Sequence, residues 1–377
     1  MRYREPAHAT HVDPYFEYNP SECVIMRPLE EEIWAALGPL RTEGTARWLL
    51  ERRLPNASEE LRAQLATRIA SCVRQADEYF WLAVEAPPRI APLLHYYSMF
   101  NLAKAAIYLR SPDRLERRDD FSHGLTDPHR IKDPAGYSLP SEVVKLQRRG
   151  IFPSLFAVLT GDELPAPAQY RLDDLLRYCT WVSHELDEVF DVQLRLLPCD
   201  LQLCFDSGRR VAWLTAAISR SDVDDRCRTI SQFRADAPAF FRLFTRVKSQ
   251  PQILRFESTP VACSSLRAAG PAIASLREGA RGLRLYGRPT TSQRRTAGHY
   301  YLPLQLDEHP PLPEACVLYA VTFYLGSLVR YQPHIYEAML QRLEAWLAES
   351  FIRQCPICFS HIMLNHLWGV EHLFQHP

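Results

Sequence analysis

The sequence predicts an α+β fold that is mainly α, with two helical blocks separated by a β-rich section. Three observations support this prediction. Apolar residues recur at near-helical spacing over much of residues 29–192, segments of residues 193–310 have the composition of strands, and the chain becomes helical again over 311–377. Residues 1–28 are polar and rich in proline and aromatic residues, which predicts an irregular N-terminal arm. The β-rich section is therefore expected to be an insert in one helical region.

Two of the predicted helices are too apolar to face water. The first covers residues 91–109 and follows the helix-breaking pair Pro87 and Pro88, and the second covers residues 315–330. The second contains the longest uncharged apolar run, which is shorter than the roughly 18 residues that a membrane span needs. We expect the two helices to pack against each other, because a shared core removes both apolar surfaces from water.

The remaining elements follow from local patterns. Residues 172–189 are predicted to form one helix. The turn Asp206-Ser207-Gly208 lies between two apolar runs and predicts a β-hairpin. The strand candidates of the β-rich section are 193–197, 201–205, 210–218, 240–247, 253–256, 283–286 and 299–306.

Charge and motif content exclude several classes of function. The chain has 44 Lys+Arg against 44 Asp+Glu, so it is not a globally basic protein that coats nucleic acid, although a local basic patch is compatible with this balance. No export signal is visible, so a cytoplasmic protein with reduced cysteines and no membrane association is expected. The sequence has no P-loop, dinucleotide GxGxxG, GxSxG elbow or HExxH motif, and no cofactor is expected.

The first apolar helix carries a polar stripe. Tyr97, Asn101, Lys104 and Tyr108 are spaced so that they share one helix face. Burying such polar groups is costly unless they have partners. Either Asn101 and Lys104 line a ligand pocket, or they anchor the following loop, residues 110–139, through hydrogen bonds.

The second apolar helix ends in Arg330, with His334 one turn further on the same face. A cation is favoured at this end by the helix dipole and the unpaired carbonyl groups, so a helix-terminating role explains Arg330 as well as a ligand contact does. With Tyr97, Asn101 and Lys104, these two residues are the predicted ligand-binding set.

A basic stretch and a cysteine pair each allow two interpretations. The basic residues are predicted either to contact phosphate or to form a solvated surface; they are Arg281, Arg284, Arg288, Arg294 and Arg295. Cys355 and Cys358, with His361 and His366 nearby, have part of a zinc-site spacing. One CxxC pair on an apolar helix is better explained by buried thiols, and no metal site is expected.

Two segments resemble a known family. They are PLLHYYSMFNLAKA at residues 92–105, followed by His123-Gly124-Leu125, and YLGSLVRYQPH at residues 324–334. Both resemble the YaaC-like proteins of bacteria, and the resemblance spans roughly residues 28–370. The helical part of that family is similar to the HEPN superfamily, many of whose members are ribonucleases or toxin-like defence proteins. The resemblance therefore implies a HEPN-like helical core formed by the N- and C-terminal segments.

The same resemblance offers two functions. The first is binding of a nucleic acid, a nucleotide or a protein partner, a second copy of the chain included, in a defence or stress pathway. The second is a metal-independent ribonuclease, because Arg118 and His123 match the spacing of the HEPN nuclease motif. There the histidine would act on the ribose 2′-hydroxyl and the arginine would stabilise the phosphate. Gly124 and Pro128 predict a loop at His123 rather than the helix on which that motif is usually found.

Overall fold

The computed structural model describes residues 9–24, 26–127, 133–165, 169–247, 250–263, 271–287, 298–306 and 311–375. Its helices are α1 (Leu29–Leu37), α2 (Glu43–Arg53), α3 (Glu59–Glu85), α4 (Ala91–Arg110), α5 (Ile151–Thr160), α6 (Leu172–Leu176), α7 (Ser183–Phe190), α8 (Arg220–Cys227), α9 (Ile230–Asp236), α10 (Pro238–Leu243), α11 (Pro271–Arg281), α12 (Glu314–Tyr331), α13 (Pro333–Met339) and α14 (Glu344–Trp368). The described residues are thus mainly helical, as predicted.

The strands are β1 (His11–Pro14), β2 (Asn19–Val24), β3 (Leu125–Thr126), β4 (Val143–Leu146), β5 (Gln169–Arg171), β6 (Leu196–Asp206), β7 (Val211–Ser219), β8 (Phe244–Val247), β9 (Ile253–Ser258), β10 (Val261–Ala262), β11 (Tyr286–Gly287), β12 (Gly298–Pro303) and β13 (Val370–Gln375). Short 3₁₀ turns, among them Pro112–Leu115 and Arg118–Phe121, follow α4. No helix among the described residues is long and apolar enough to cross a membrane.

The chain divides into two compact units. The helical unit comprises Cys23–Leu194 and Leu312–Gln375, so it draws on both ends of the sequence. The sheet unit comprises Met1–Glu22 and Arg195–Pro311.

The core of the helical unit contains the two apolar helices, which pack against each other as their sequences predict. Every residue of α12 from Glu314 to Leu328 is buried. Gly326 faces α4 closely: a Cβ atom added there would lie 3.4 Å from the Cβ of Tyr96 and 3.5 Å from the Cα of Leu93. A Cβ atom at these distances would make ordinary van der Waals contact with α4, so the two helices lie close together at this residue. Helices α3 and α14 also pack on α4.

The sheet unit is built on an antiparallel sheet with strand order β11-β12-β6-β7-β9-β8. The predicted hairpin is β6–β7, and the side chain of Asp206 accepts hydrogen bonds from the backbone N–H groups of Gly208 (2.8 Å) and Arg209 (3.0 Å) in its turn. Helices α8 to α11 belong to the same unit as the sheet. Phenylalanines 233, 240, 244 and 256 are fully buried and join its core.

Several local predictions were wrong in detail. The end of the strand candidate 193–197 and the whole of 201–205 belong to one strand, β6, which begins at Leu196. The candidate 240–247 begins as helix α10, because Pro238 occupies its first turn and favours a helix start, and only its last four residues form β8. The predicted helix 172–189 is interrupted between α6 and α7.

The segment predicted as an irregular arm contains two short strands instead. His11–Pro14 pairs antiparallel with β6, with Val12 opposite Cys204, and the neighbouring Tyr15 is buried against Tyr300. The strand that pairs with this segment is formed by residues almost 200 positions later in the chain. The local pattern of residues 1–28 contains no sign of that partner.

Candidate functional site

His123 occupies a loop that glycines hold in place on the helical unit. Gly124 has a φ of +74° and Gly150 a φ of +120°, both in the region that favours glycine. A Cβ atom on Gly124 would lie 2.4 Å from the Cδ of Pro153, and one on Gly150 would lie 2.5 Å from the backbone nitrogen of Gly124. The two glycines let the His123 loop and the start of α5 approach to contact distance.

Backbone hydrogen bonds join residues 147–152 to His123 and to the residues on both sides of it. The N–H of Ile151 donates to the carbonyl oxygen of Ser122 at 2.9 Å, and the N–H of Phe152 donates to that of His123 at 3.2 Å. The N–H of Gln147 donates to the carbonyl oxygen of Gly124 at 2.9 Å. The position of the His123 backbone is thus fixed by residues 147–152 rather than by its own sequence neighbours.

The imidazole of His123 lies among aromatic side chains. Its ring centroid is 5.4 Å from that of Tyr96, 5.6 Å from that of Phe100 and 5.7 Å from that of Phe323. Its Nδ1 atom is 2.6 Å from the hydroxyl oxygen of Tyr96, which is in turn 3.1 Å from the hydroxyl of Tyr319. A chain of polar atoms therefore leads from the buried core to a half-buried histidine.

The order of donors in this chain follows from the burial of Tyr319. That side chain is fully buried, and Tyr96 is its only hydrogen-bonding partner among the described residues. A buried hydroxyl hydrogen without an acceptor is costly, so Tyr319 donates to Tyr96 and Tyr96 donates to Nδ1 of His123. Burial raises the pKa of both tyrosines, which stay protonated at neutral pH. The neutral histidine consequently carries its proton on Nε2.

Arg330 is the cation that acts on His123. It lies exposed near the end of α12, its Nη1 donates to the hydroxyl of Tyr97 at 3.3 Å, and its guanidinium is 4.9 Å from the ring centroid of Tyr331. Burial, with the charge of Arg330 as a smaller cause, lowers the pKa of His123. Within the described parts of the chain Arg330 forms no ion pair, so its charge is not neutralised by a carboxylate there.

The pKa of His123 offers a direct test of this arrangement. Replacing Arg330 by glutamine removes the nearby positive charge and is expected to raise the pKa of His123 part of the way to its ordinary value, because burial remains. NMR titration of the imidazole resonances would measure this change. An unchanged pKa would show that the guanidinium does not lie near His123 in solution.

Asn101 and Lys104 form side-chain hydrogen bonds within α4. The side-chain amide of Asn101 donates to the carbonyl oxygen of Tyr97 at 3.0 Å, and Nζ of Lys104 donates to Oδ1 of Asn101 at 3.1 Å. Lys104 also interacts with the buried thiol of Cys72 on α3, whose pKa is raised by burial and lowered to a smaller extent by the ammonium. Phe100 lies beside both Lys104 and His123, so the ammonium is close to the histidine without contacting it directly.

Other predicted site residues lie apart from His123. Arg118 is exposed on its 3₁₀ turn, and no hydrogen bond or ion pair joins it to His123 within the described residues. His334 is exposed on α13 and likewise has no hydrogen bond to the site in the described part of the chain. The structure thus brings together His123, Tyr97 and Arg330, with Asn101 and Lys104 next to them, and leaves out Arg118 and His334.

The predicted phosphate-contact arginines fall in the sheet unit or outside the described residues. Arg281 is paired with Glu278 at 3.0 Å and with Glu17 at 3.5 Å, which reduces its attraction for phosphate. Arg284 donates to the carbonyl oxygen of Pro311 at 2.6 Å. The residues outside the described parts are Arg288, Arg294 and Arg295.

The cysteine pair lies inside the core of the helical unit. Cys355 and Cys358 are buried on α14, and the Sγ of Cys358 donates to Oε1 of Glu314 at 3.5 Å. Burial raises the pKa of both thiols far above the ordinary value, which disfavours the thiolate that zinc requires. Among the described residues, no group of three or more histidine, cysteine or acidic side chains is arranged to hold a metal ion.

Four contributors to the site were not predicted. Tyr96, Tyr319 and Phe323 surround or hold the histidine, and Gly150 permits the close backbone approach. The adjacent Tyr96-Tyr97 pair and the shared face of Phe323 and Arg330 were visible signals. Gly150 had no local signal, because its partner Gly124 lies in a different segment.

Comparison with known proteins gives a family match. A family model described as YaaC-like Protein matches residues 39–367, which include every residue of the site. No curated protein and no solved structure matches the chain. The similarity to the HEPN superfamily stays a prediction.

Proposed function

The chain belongs to the YaaC-like family, and on that premise we propose that it acts by binding a phosphate-bearing ligand, a nucleotide or a nucleic acid, at His123 and Arg330. What supports this most is an arginine without a carboxylate partner among the described residues, whose charge acts on His123, together with the donor order that leaves the proton of His123 on Nε2. Both groups are hydrogen-bond donors, and an arginine fork suits phosphate oxygens.

The aromatic surroundings suit the rest of such a ligand. Tyr97 and Phe100 are half-buried and Tyr331 is 53% exposed, so their rings remain partly accessible. Stacking of nucleobases on aromatic side chains beside cations is a common way to bind single-stranded nucleic acid or a nucleotide. Lys104, close to the ring of Phe100, adds a second positive charge to this proposed site.

A HEPN-like metal-independent ribonuclease is the second candidate, because a histidine and an arginine lie together. The geometry favours binding over this alternative for one reason. A general base needs an unprotonated nitrogen that can reach the substrate, whereas here Nδ1 is occupied by Tyr96 and Nε2 carries the proton. If the chain does cleave RNA, the cation involved would be Arg330 rather than Arg118.

Three variants separate the two candidates. His123→Ala removes the donor, while His123→Gln keeps an amide N–H near the position of Nε2 and cannot act as a base. Binding of a labelled single-stranded oligoribonucleotide should fall about tenfold or more with His123→Ala and Arg330→Gln, and should be largely retained with His123→Gln. Arg330→Gln should also make the slope of log binding constant against log salt concentration less steep by about 0.7, which is the contribution of one phosphate contact to a single strand.

Arg118→Gln is the matched control, since it removes an exposed arginine from the same loop system. It should leave binding unchanged. Equal binding by the wild-type, His123→Ala and Arg330→Gln chains would contradict the proposal. Cleavage of the oligonucleotide that is abolished in both His123 variants would establish the ribonuclease instead.

A further inference from the structure

We infer that the sheet unit carries a separate ligand site, a cavity that takes a small organic anion with an apolar body. The cavity has a volume of about 270 Å³ and lies at α10, the turn that follows α11 and the end of β12. This volume is close to the lower end of the range for small-molecule sites, roughly 300–1,000 Å³. The site does not depend on the function proposed for His123 and Arg330.

The wall of the cavity is largely apolar. Ala237, Phe240, Leu283 and Leu302 contribute apolar surface, and all four are buried. An apolar cavity of this kind favours a ligand with a hydrocarbon or aromatic body, because the ligand surface is removed from water on binding.

Asp236 is the acidic residue among the described residues that line the cavity, and its charge does not repel an anion strongly. Oδ2 of Asp236 is 3.1 Å from Nη2 of Arg195, and Oδ1 accepts a hydrogen bond from Nε2 of Gln232 at 2.7 Å. Asp236 is thus buried with a cation beside it, and its charge is compensated within the unit. Among the described residues that line the cavity, the other charged side chains are arginines.

Two arginines are among the described residues that line the cavity. Arg242 is exposed on α10 and forms no ion pair or hydrogen bond within the described residues. Arg284 has a φ of +52°, a left-handed conformation that costs a residue with a side chain roughly 1–2 kcal/mol. Non-glycine residues in such conformations are enriched at ligand sites. The guanidinium of Arg284 is oriented by its 2.6 Å hydrogen bond to the carbonyl oxygen of Pro311, which also lines the cavity.

The combination of guanidinium groups and an apolar wall defines the ligand class. A carboxylate or phosphate head would bind at Arg242 and Arg284, and a body the size of a phenyl group would fill the apolar part. Carboxylate and phosphate share this recognition chemistry, so both are compared in the test.

The test titrates the full chain with phenyl phosphate, 3-phenylpropionate and the neutral 3-phenylpropanol, followed by NMR or calorimetry. At least one anion should bind, and the alcohol should bind about tenfold or more weakly, because it lacks the charged head. Arg242→Gln should weaken binding of the anion by a similar factor. Ala239→Phe places a bulky ring at a half-buried lining position and should abolish binding.

Arg246→Gln on β8 is the matched control, since Arg246 is exposed and does not line the cavity. It should leave the affinity of the cavity for the anions unchanged. The inference is overturned if no probe binds at millimolar concentration, if the alcohol binds as tightly as the anions, or if folded Arg242→Gln and Ala239→Phe chains bind like the wild type.

Discussion

Replacing Gly124 by alanine is expected to destabilise the helical unit by about 3 kcal/mol or more and to displace His123. The added Cβ atom would lie 2.4 Å from the Cδ of Pro153 and 2.9 Å from the backbone nitrogen of Phe152. Neither atom is the flexible end of a side chain, so the loop or the start of α5 must move. The φ of +74° adds a cost of its own.

The free-energy cost of the close contact at Gly124 can be separated from the cost of a positive φ. Gly161 ends α5 with a φ of +80°, but an added Cβ atom there meets nothing within 4 Å. Gly161→Ala should therefore cost only about 1–2 kcal/mol. Gly44, inside α2 with equally open surroundings, should tolerate alanine or become more stable by up to about 1 kcal/mol.

Denaturant unfolding of the three variants gives the free-energy differences, and hydrogen exchange of residues 147–160 locates them. We expect the order Gly124→Ala, then Gly161→Ala, then Gly44→Ala in loss of stability. Equal losses for Gly124→Ala and Gly161→Ala would mean that the close approach to Pro153 relaxes without cost. The site would then be less tightly constrained than its interatomic distances indicate.

The stability of the helical unit should fall as the pH decreases from about 6.5 to about 4, and His95 should account for a large part of the loss. His95 is buried on α4, its Nδ1 has no hydrogen-bonding partner among the described residues, and its ring packs on Phe80. Burial lowers its pKa from 6.5 to about 4.

The sign follows from proton binding. In this pH range the unfolded chain binds a proton at His95 and the folded chain does not, so stability rises with pH and is lost as the pH falls. This difference between the pKa of His95 in the unfolded and the folded chain corresponds to a loss of about 3 kcal/mol in the free energy of unfolding as the pH falls from about 6.5 to about 4. The pKa values of His123 and His372 are also lowered by burial, and both contribute in the same direction.

His95→Leu removes the titrating group at similar volume and should flatten this part of the pH profile. At pH 7 the variant should be as stable as the wild type or slightly more so, because a buried polar atom without a partner is removed. His334→Leu, at an exposed position on α13, is the control and should keep the wild-type acid sensitivity. Thermal or denaturant unfolding at several pH values measures both. An unchanged slope in His95→Leu would show that His95 is hydrated in the folded state.

Part of the site could be anticipated from the sequence. The polar stripe of α4 and the end of α12 were recognised because i, i+3 and i+4 neighbours share a helix face whatever the tertiary structure. The hydrogen bonds of Asn101 and Lys104 lie within α4 and do not reach the following loop, so the predicted anchoring of that loop is not seen. Arg330 approaches His123 in a way that no local spacing encodes.

The sequence by itself determined the helices α4 and α12, the β6–β7 hairpin, the family and the apolar packing of the two ends of the chain. These features depend on periodicity, turn residues and hydrophobicity, which act over a few neighbouring residues. Only the tertiary structure decided which cation lies near His123, which nitrogen of its ring carries the proton and why Gly150 is needed. Those properties arise from Tyr319, Arg330 and α5, which meet the His123 loop only after distant segments have packed.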